Sequence, residues 1–165
     1  MYPGGNYQPG AILGMDTLLS ATAMMTSSNS VAIDSGMAQR LPLKILLAED
    51  VIVNQRVALR MLDRLGYQAD AVSNGEEVLV ALRRQTYDLV FLDVQMPKMD
   101  GLETAQCIRQ EWPADQRPWL VAMTAHALEG DRESCLQAGM DDYVSKPIRF
   151  EALVKALERC ATRQV

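Results

Sequence analysis

A chain of 165 residues, 48% hydrophobic and 22% charged, is long enough for one domain with a real core and too short for two ordinary ones. Its net charge of -5 and the lack of any long Lys/Arg block exclude nucleic-acid binding through clustered cations. Three widely spaced cysteines, Cys107, Cys135 and Cys160, with no C-x-x-C, exclude a zinc site or disulfide framework, and no apolar stretch reaches the roughly 18–20 residues of a membrane span.

Residues 1–40 carry three charges, Asp16, Asp34 and Arg40, and are rich in Gly, Ser, Ala, Met and Thr. Pro3-Gly4-Gly5 and Pro9-Gly10 break them further. This composition predicts a flexible tail or linker over 1–40, with one short helix over 12–25 as its only element. No Lys or Arg precedes its apolar residues, so it is a poor signal peptide.

From residue 41 the pattern alternates, and a single domain is expected over 41–165. A continuous apolar strand is predicted over 43–48. Ala58, Met61, Leu62 and Leu65 keep helical spacing over 54–65, with Gly66 as the stop. A short strand follows over 68–72. Ser73-Asn74-Gly75-Glu76 reads as a capping box that opens a helix to about residue 84. A strand over 88–92 and a helix over 101–111 come next, then a strand over 119–123 after Pro118. A helix over 129–138 closes at Gly139, a short strand spans 142–144, and Phe150, Leu153, Val154 and Leu157 mark a last amphipathic helix. Each cysteine falls in a predicted helix, so packed, reduced thiols in a cytoplasmic protein are expected.

Five apolar strands alternating with five helices imply an α/β domain, a doubly wound five-stranded parallel sheet covered on both faces. In such folds the carboxyl ends of the strands form the functional edge. Glu49-Asp50, Ser73-Asn74, Asp93, Thr124 and Lys146 fall there. Two unit charges about 4 Å apart repel by roughly 4 kcal/mol at an effective dielectric of 20, so three carboxylates on one rim call for a cation. With no His or Cys in these segments, Mg²⁺ fits best, with Asp50, Asp93 and a backbone carbonyl beyond Asp93 as ligands. An ammonium (Lys146) and a hydroxyl (Thr124) facing a metal-bound carboxylate describe a place for a phosphoryl group, with Asp93 as nucleophile.

These residues resemble a known family, the receiver domain of two-component response regulators. The resemblance covers roughly residues 43–162. It rests on Ile45-Leu46-Leu47-Ala48-Glu49-Asp50, on Leu92-Asp93-Val94-Gln95-Met96-Pro97-Lys98-Met99-Asp100-Gly101, on Met123-Thr124-Ala125 and on Asp142-Tyr143-Val144-Ser145-Lys146-Pro147. Val53-Asn54-Gln55 and Gly130-Asp131-Arg132-Glu133 are similar in wording to receivers of hybrid sensor kinases.

The resemblance implies a flavodoxin-like receiver fold with Asp93 as phosphoacceptor. It implies an acidic metal pair in which Asp50 is the direct ligand and Glu49 acts through water, with the Gln95 backbone carbonyl as a further Mg²⁺ ligand. Thr124 and Lys146 match the phosphate-sensing pair, and Tyr143 matches the aromatic that moves inward in the switched state. The face reshaped by that motion is made by the fourth helix, fifth strand and fifth helix of the alternating unit, where a downstream protein would bind. The implied donor is a histidine kinase or a histidine phosphotransfer protein. Gln95 and His126, each two residues beyond a site residue, are candidates for flanking the acyl phosphate and setting the access of water. Val51 stands where hybrid-type receivers often have Asn, a position to which the resemblance assigns no role.

The expected activity is that of a switch rather than a metabolic enzyme, with self-catalysed phosphoryl transfer and slow dephosphorylation. No output module follows the last predicted helix, so the chain is expected to be a stand-alone receiver or one detached from a larger kinase. Three rivals have discriminating residues. An aspartyl-phosphate hydrolase needs a second Asp where Gln95 stands. A flavin or nucleotide binder needs a Gly- or Ser/Thr-rich loop where Glu49-Asp50 stands. A phosphorylation-independent receiver has no need of the full set Glu49, Asp50, Asp93, Thr124 and Lys146.

Overall fold

The computed structural model describes residues 34–126 and 128–163. The helix expected over 12–25, and most of the expected tail, lie outside the described residues. Five parallel strands form one sheet: β1 (Ile45–Ala48), β2 (Asp70–Val72), β3 (Leu89–Asp93), β4 (Trp119–Thr124) and β5 (Asp142–Ser145). Their order is β2-β1-β3-β4-β5. The register pairs Ala48 with Val72 on one side and with Leu92 on the other, then Asp93 with Met123 and Thr124 with Ser145. From β1 the chain winds to one side to form β2, then crosses back past β1 to form β3, β4 and β5 on the other. The switch point therefore lies between β1 and β3, where the rim opens into a crevice.

Among the described residues, six helices accompany the sheet: α1 (Met37–Arg40), α2 (Ile52–Arg64), α3 (Gly75–Arg84), α4 (Gly101–Glu111), α5 (Glu129–Gln137) and α6 (Phe150–Arg163). Among the described residues no helix is long and apolar enough to cross a membrane. The central strands are buried on both faces, which is why they read as unbroken apolar runs. Successive side chains alternate between two cores. Ile45, Leu47, Leu89, Phe91, Val121 and Met123 pack with Leu62 of α2 and with Leu153, Ala156 and Leu157 of α6. Leu46, Ala48, Val90, Leu92, Leu120 and Ala122 pack with Val78 of α3, Ile108 of α4 and Cys135 of α5. Cys135 and Cys160 are buried, Cys107 is half-buried, and all three are free thiols.

Three local differences from the predicted elements have physical causes. First, Asp34–Arg40 also pack on this unit. Met37 is buried in the first core, and Ala38 N–H donates to Leu65 O at 3.1 Å. Gly66 admits this contact: its φ is +90°, and a Cβ there would lie 2.6 Å from Ser35 O. Second, α2 starts at Ile52 rather than 54, because Glu49 Oε1 accepts the Val51 N–H at 3.0 Å and caps the helix from outside it. Third, the capping box before α3 is shifted by one residue. Asn74 Oδ1 accepts the Glu77 N–H at 3.0 Å, and Glu77 Oε2 accepts the Ser73 N–H at 2.8 Å.

Candidate functional site

The carboxyl ends of β1, β3, β4 and β5 converge on one cavity of about 300 Å³ lined by Asp50, Asp93, Gln95, Thr124, His126, Asp131 and Lys146. Glu49 lies behind it, almost fully buried. Each position follows from local structure. Glu49 and Asp50 leave β1 as it turns into α2. Glu49 N–H donates to Val72 O at 3.1 Å, and Gln55 Nε2 donates to Glu49 O at the same distance. Asp93 is the last residue of β3. Directly beyond it, Val94 N–H donates to Met123 O at 3.1 Å and Gly101 N–H to Val94 O at 3.0 Å. Lys146 follows β5, with its N–H donating to Thr124 O at 2.7 Å.

Lys146 is the electrostatic centre. Its Nζ lies 2.7 Å from Asp93 Oδ2 and 2.8 Å from Glu49 Oε2. Asp93 Oδ1 accepts the Gln95 N–H at 3.2 Å. Burial pushes the Asp93 carboxyl up to about 6, with Lys146 opposing the rise and the Glu49 charge adding to it. Burial acts on Glu49 in the same sense, but Lys146 and the Val51 N–H outweigh it and hold that carboxyl below the usual range. Lys146 is also desolvated, yet its two carboxylates keep the ammonium above its ordinary value. One cation thus serves two buried acids, and Glu49 keeps its charge more readily than Asp93.

Glu49, Asp50 and Asp93 can each offer an oxygen such that all three lie within 4.8 Å of one another. An all-carboxylate donor set of that size suits a hard cation such as Mg²⁺ and disfavours zinc or copper. Thr124 Oγ1 donates to His126 O at 3.0 Å and accepts the His126 N–H at 3.2 Å, so the hydroxyl is turned toward its own loop. His126 itself is exposed at the rim. Tyr143 sits on β5 with its ring half-buried and the Arg132 guanidinium 5.4 Å from its centroid.

Three contributors stand within the quoted motifs without being given a role in the site. Gly101 presses its backbone against β3: a Cβ there would lie 2.3 Å from Asp93 O. It closes the quoted run from Leu92, but the Asp100-Gly101 pair reads equally well as a helix start. Gln55 fixes the Glu49 carbonyl from one turn inside α2. Asp131, in the first turn of α5, lines the cavity through tertiary placement alone.

A family model described as "Response regulator receiver domain" matches residues 45–158. Over 123 residues, 70% of this chain and 10% of the relative, the chain is 40% identical to "Hybrid signal transduction histidine kinase K" of Dictyostelium discoideum. The chain thus spans about a tenth of the length of such curated relatives. Among solved structures, it is 41% identical, with a TM-score of 0.66, to the receiver domain of sensor histidine kinase PA1611 from Pseudomonas aeruginosa PAO1, described with a magnesium ion coordinated in its active site cleft; 73% of this chain and 98% of that one are covered. It is 26% identical, with a TM-score of 0.68, to a chain of the Saccharomyces cerevisiae complex between the histidine phosphotransfer signaling protein Ypd1 and the receiver domain of Ssk1, with 74% and 90% covered. With the family model matching most of the chain, the protein belongs to the response regulator receiver domain family of two-component and phosphorelay systems.

Proposed function

We propose that Asp93 accepts a phosphoryl group from a phosphohistidine and that the resulting acyl phosphate switches the domain between two states. The observation that carries this reading is Lys146 Nζ, held within 2.8 Å of both Asp93 and Glu49 at the switch point of the sheet. An Asp93 carboxylate oxygen attacks phosphorus, the P–N bond to imidazole breaks, and the electron pair leaves with the imidazole. Mg²⁺, held by Asp50, Asp93 and the Gln95 backbone carbonyl with Glu49 acting through water, would neutralise charge on the phosphoryl oxygens. Its support is the three-carboxylate cluster and the magnesium ion described for the Pseudomonas relative. Lys146 then leaves Asp93 Oδ2 and pairs with a phosphoryl oxygen.

Thr124 senses the group by exchanging its contact with the His126 backbone for one to the phosphoryl group. Tyr143 then moves inward and reshapes the α5-β5-α6 face, which a downstream protein reads. Gln95 and His126 flank the acyl phosphate on the cavity wall and tune how water reaches it. The donor is a histidine kinase or phosphotransfer protein. Its support is the yeast complex and an exposed apolar patch, Ile52, Val53 and Val57, at the start of α2 beside the site. The setting is cytoplasmic, where the three free thiols stay reduced. The reading remains that of a signalling switch, because Gln95 offers no second carboxylate for fast hydrolysis.

Intact-mass analysis after incubation with phosphoramidate and Mg²⁺ tests it. One phosphoryl adduct is expected on the wild type and none on Asp93→Asn. No adduct on the wild type, in protein that responds to Mg²⁺, overturns the proposal. For the tuning residues, unchanged adduct lifetimes in both Gln95→Ala and His126→Ala would remove their role.

A further inference from the structure

A cavity of about 430 Å³ opens on the α5-β5-α6 face. Arg132 of α5, Asp142, Tyr143 and Ser145 of β5, and Lys155 and Arg159 of α6 stand in its wall, and it shares no residue with the phosphoacceptor cavity. Three cations face one carboxylate there, in a chain whose net charge is -5. That carboxylate is already engaged: Asp142 Oδ2 accepts the Arg159 Nε–H at 2.6 Å. Lys155 is exposed and has no ion pair or hydrogen bond among the described residues. Arg132 is exposed too, its guanidinium 5.4 Å from the Tyr143 ring centroid.

Apolar surface borders these cations. Leu128, at the N-cap position of α5, is 72% exposed, and Leu136 is 47% exposed. They stand four residues before and four after Arg132, so the three side chains form one stripe along the helix. Charge selects the occupant. A second copy of this chain would set the same three cations against each other, and the overall negative charge repels a polyanion such as nucleic acid. A protein segment that carries carboxylates beside aliphatic side chains matches both the cations and the stripe.

We propose that this groove docks an acidic amphipathic segment of the downstream protein, and that Tyr143 masks Arg132 until the switch withdraws the ring. Lys155 and Arg159 pair with the carboxylates of the segment, and Leu128 and Leu136 cover its apolar side chains. In the resting state the ring partly satisfies the Arg132 cation. Inward movement of Tyr143 ends that contact and turns Arg132 over to a further carboxylate, so the phosphorylated form binds more tightly. This last step rests on the phosphoacceptor reading of Asp93; the charge of the groove does not.

Fluorescence anisotropy of a labelled peptide with glutamates flanking two leucines tests both parts on the full chain. The untreated chain is expected to bind it saturably and to ignore the same peptide with lysines for glutamates. Lys155→Glu should weaken binding about fivefold, the effect of a reversed surface charge, while Arg84→Glu, at the end of α3 and outside the groove, should change it less than about twofold. Tyr143→Leu frees Arg132 without phosphorylation and should tighten binding about threefold. Phosphoramidate with Mg²⁺ should do the same once intact mass shows the adduct, and in an Arg132→Gln background neither change should tighten it. No saturable binding, equal binding of the lysine peptide, or equal losses in Lys155→Glu and Arg84→Glu overturns the docking site. Self-association of the chain that Leu136→Ser abolishes, in place of peptide binding, overturns it in favour of a second copy. Unchanged affinity in a folded Tyr143→Leu variant overturns the masking of Arg132. Tightening by Tyr143→Leu with no adduct on the wild type would instead refute the reading of Asp93 and leave the groove standing.

Discussion

Asp93→Asn should make the metal-free protein more stable, not less. Asp93 is 4% exposed, and its carboxyl is pushed up to about 6 by burial. A rise from the unfolded value of about 3.9 to about 6 disfavours the ionised native form by roughly 3 kcal/mol. Asparagine removes that charge and keeps an acceptor for the Gln95 N–H. Lys146 loses one carboxylate and keeps Glu49, so a net gain of about 2 kcal/mol is expected at pH 7 in EDTA. For a domain of this size that is roughly 6–10 °C in Tm. The sign with pH follows from linkage. Because the folded pKa is the higher one, the native state binds the proton more tightly between the two values. The wild type therefore loses stability as pH rises from about 4 to 6 and stays lowered above that, while below pH 4 the two proteins converge. Urea denaturation followed by far-UV circular dichroism at pH 4, 5, 6 and 7 measures this directly. With Mg²⁺ near a hundred times its Kd, the wild type should recover about 2.7 kcal/mol and the variant much less. A variant no more stable than wild type at pH 7 in EDTA, or a difference independent of pH between 4 and 7, would refute the reasoning.

Lys146→Met has the opposite sign, since it strands two buried carboxylates: a loss of about 2–4 kcal/mol in EDTA, largely restored by Mg²⁺, is expected in the same urea titration. Gly101→Ala drives a Cβ to 2.3 Å from Asp93 O, so a loss of about 2 kcal/mol together with slower adduct formation from phosphoramidate is expected by denaturation and intact mass. Gly66→Ala forces φ +90° on alanine and collides with Ser35 O; a loss of about 1–2 kcal/mol in urea is expected, and much of it should vanish when Met37→Ala has already released that segment. Glu49→Gln should destabilise the metal-free fold by about 1 kcal/mol or more, whereas Asp50→Asn should leave it unchanged or firmer and abolish the Mg²⁺-induced rise in Tm.

The central strands were legible because a parallel strand buried on both faces must be apolar at every position, as Leu89–Leu92 and Leu120–Met123 are. Strand ends drifted by a residue or two because hydrogen bonding, not composition, ends a ladder. The α3 cap was ambiguous in sequence, since Ser73 and Asn74 each have a glutamate three residues on. Tertiary contact decides it: Asn74 is buried, and Gly75 N–H donates to Met99 O at 3.2 Å. Helix α1 had no periodic signal, being one turn held by a single buried methionine. At the site, each acid or base could be placed at a strand end from its position after an apolar run. The resting hydrogen bonds of Thr124 to the His126 backbone, and the sharing of Lys146 between two acids, depend on side-chain geometry that no spacing encodes.

That sharing separates the two members of the acidic pair. Glu49 has committed both oxygens, one to the Val51 N–H at the start of α2 and one to Lys146, and its backbone carbonyl to Gln55. It is buried and held in place by three elements, so it can act on a cation through an intervening water without leaving its contacts. Asp50 is half-buried at the cavity mouth and makes no side-chain hydrogen bond to another described residue. Its oxygens are free to enter a coordination shell at no loss of existing bonds. A rim that placed two free carboxylates beside Asp93 would face the full repulsion of three acids. A rim that neutralised all three would leave nothing to hold a cation. Tying Glu49 down and leaving Asp50 loose resolves the conflict: Lys146 holds the site together without metal, and in the proposed switch, where a phosphoryl oxygen would draw it from Asp93, Glu49 is the anchor that would keep the lysine within reach.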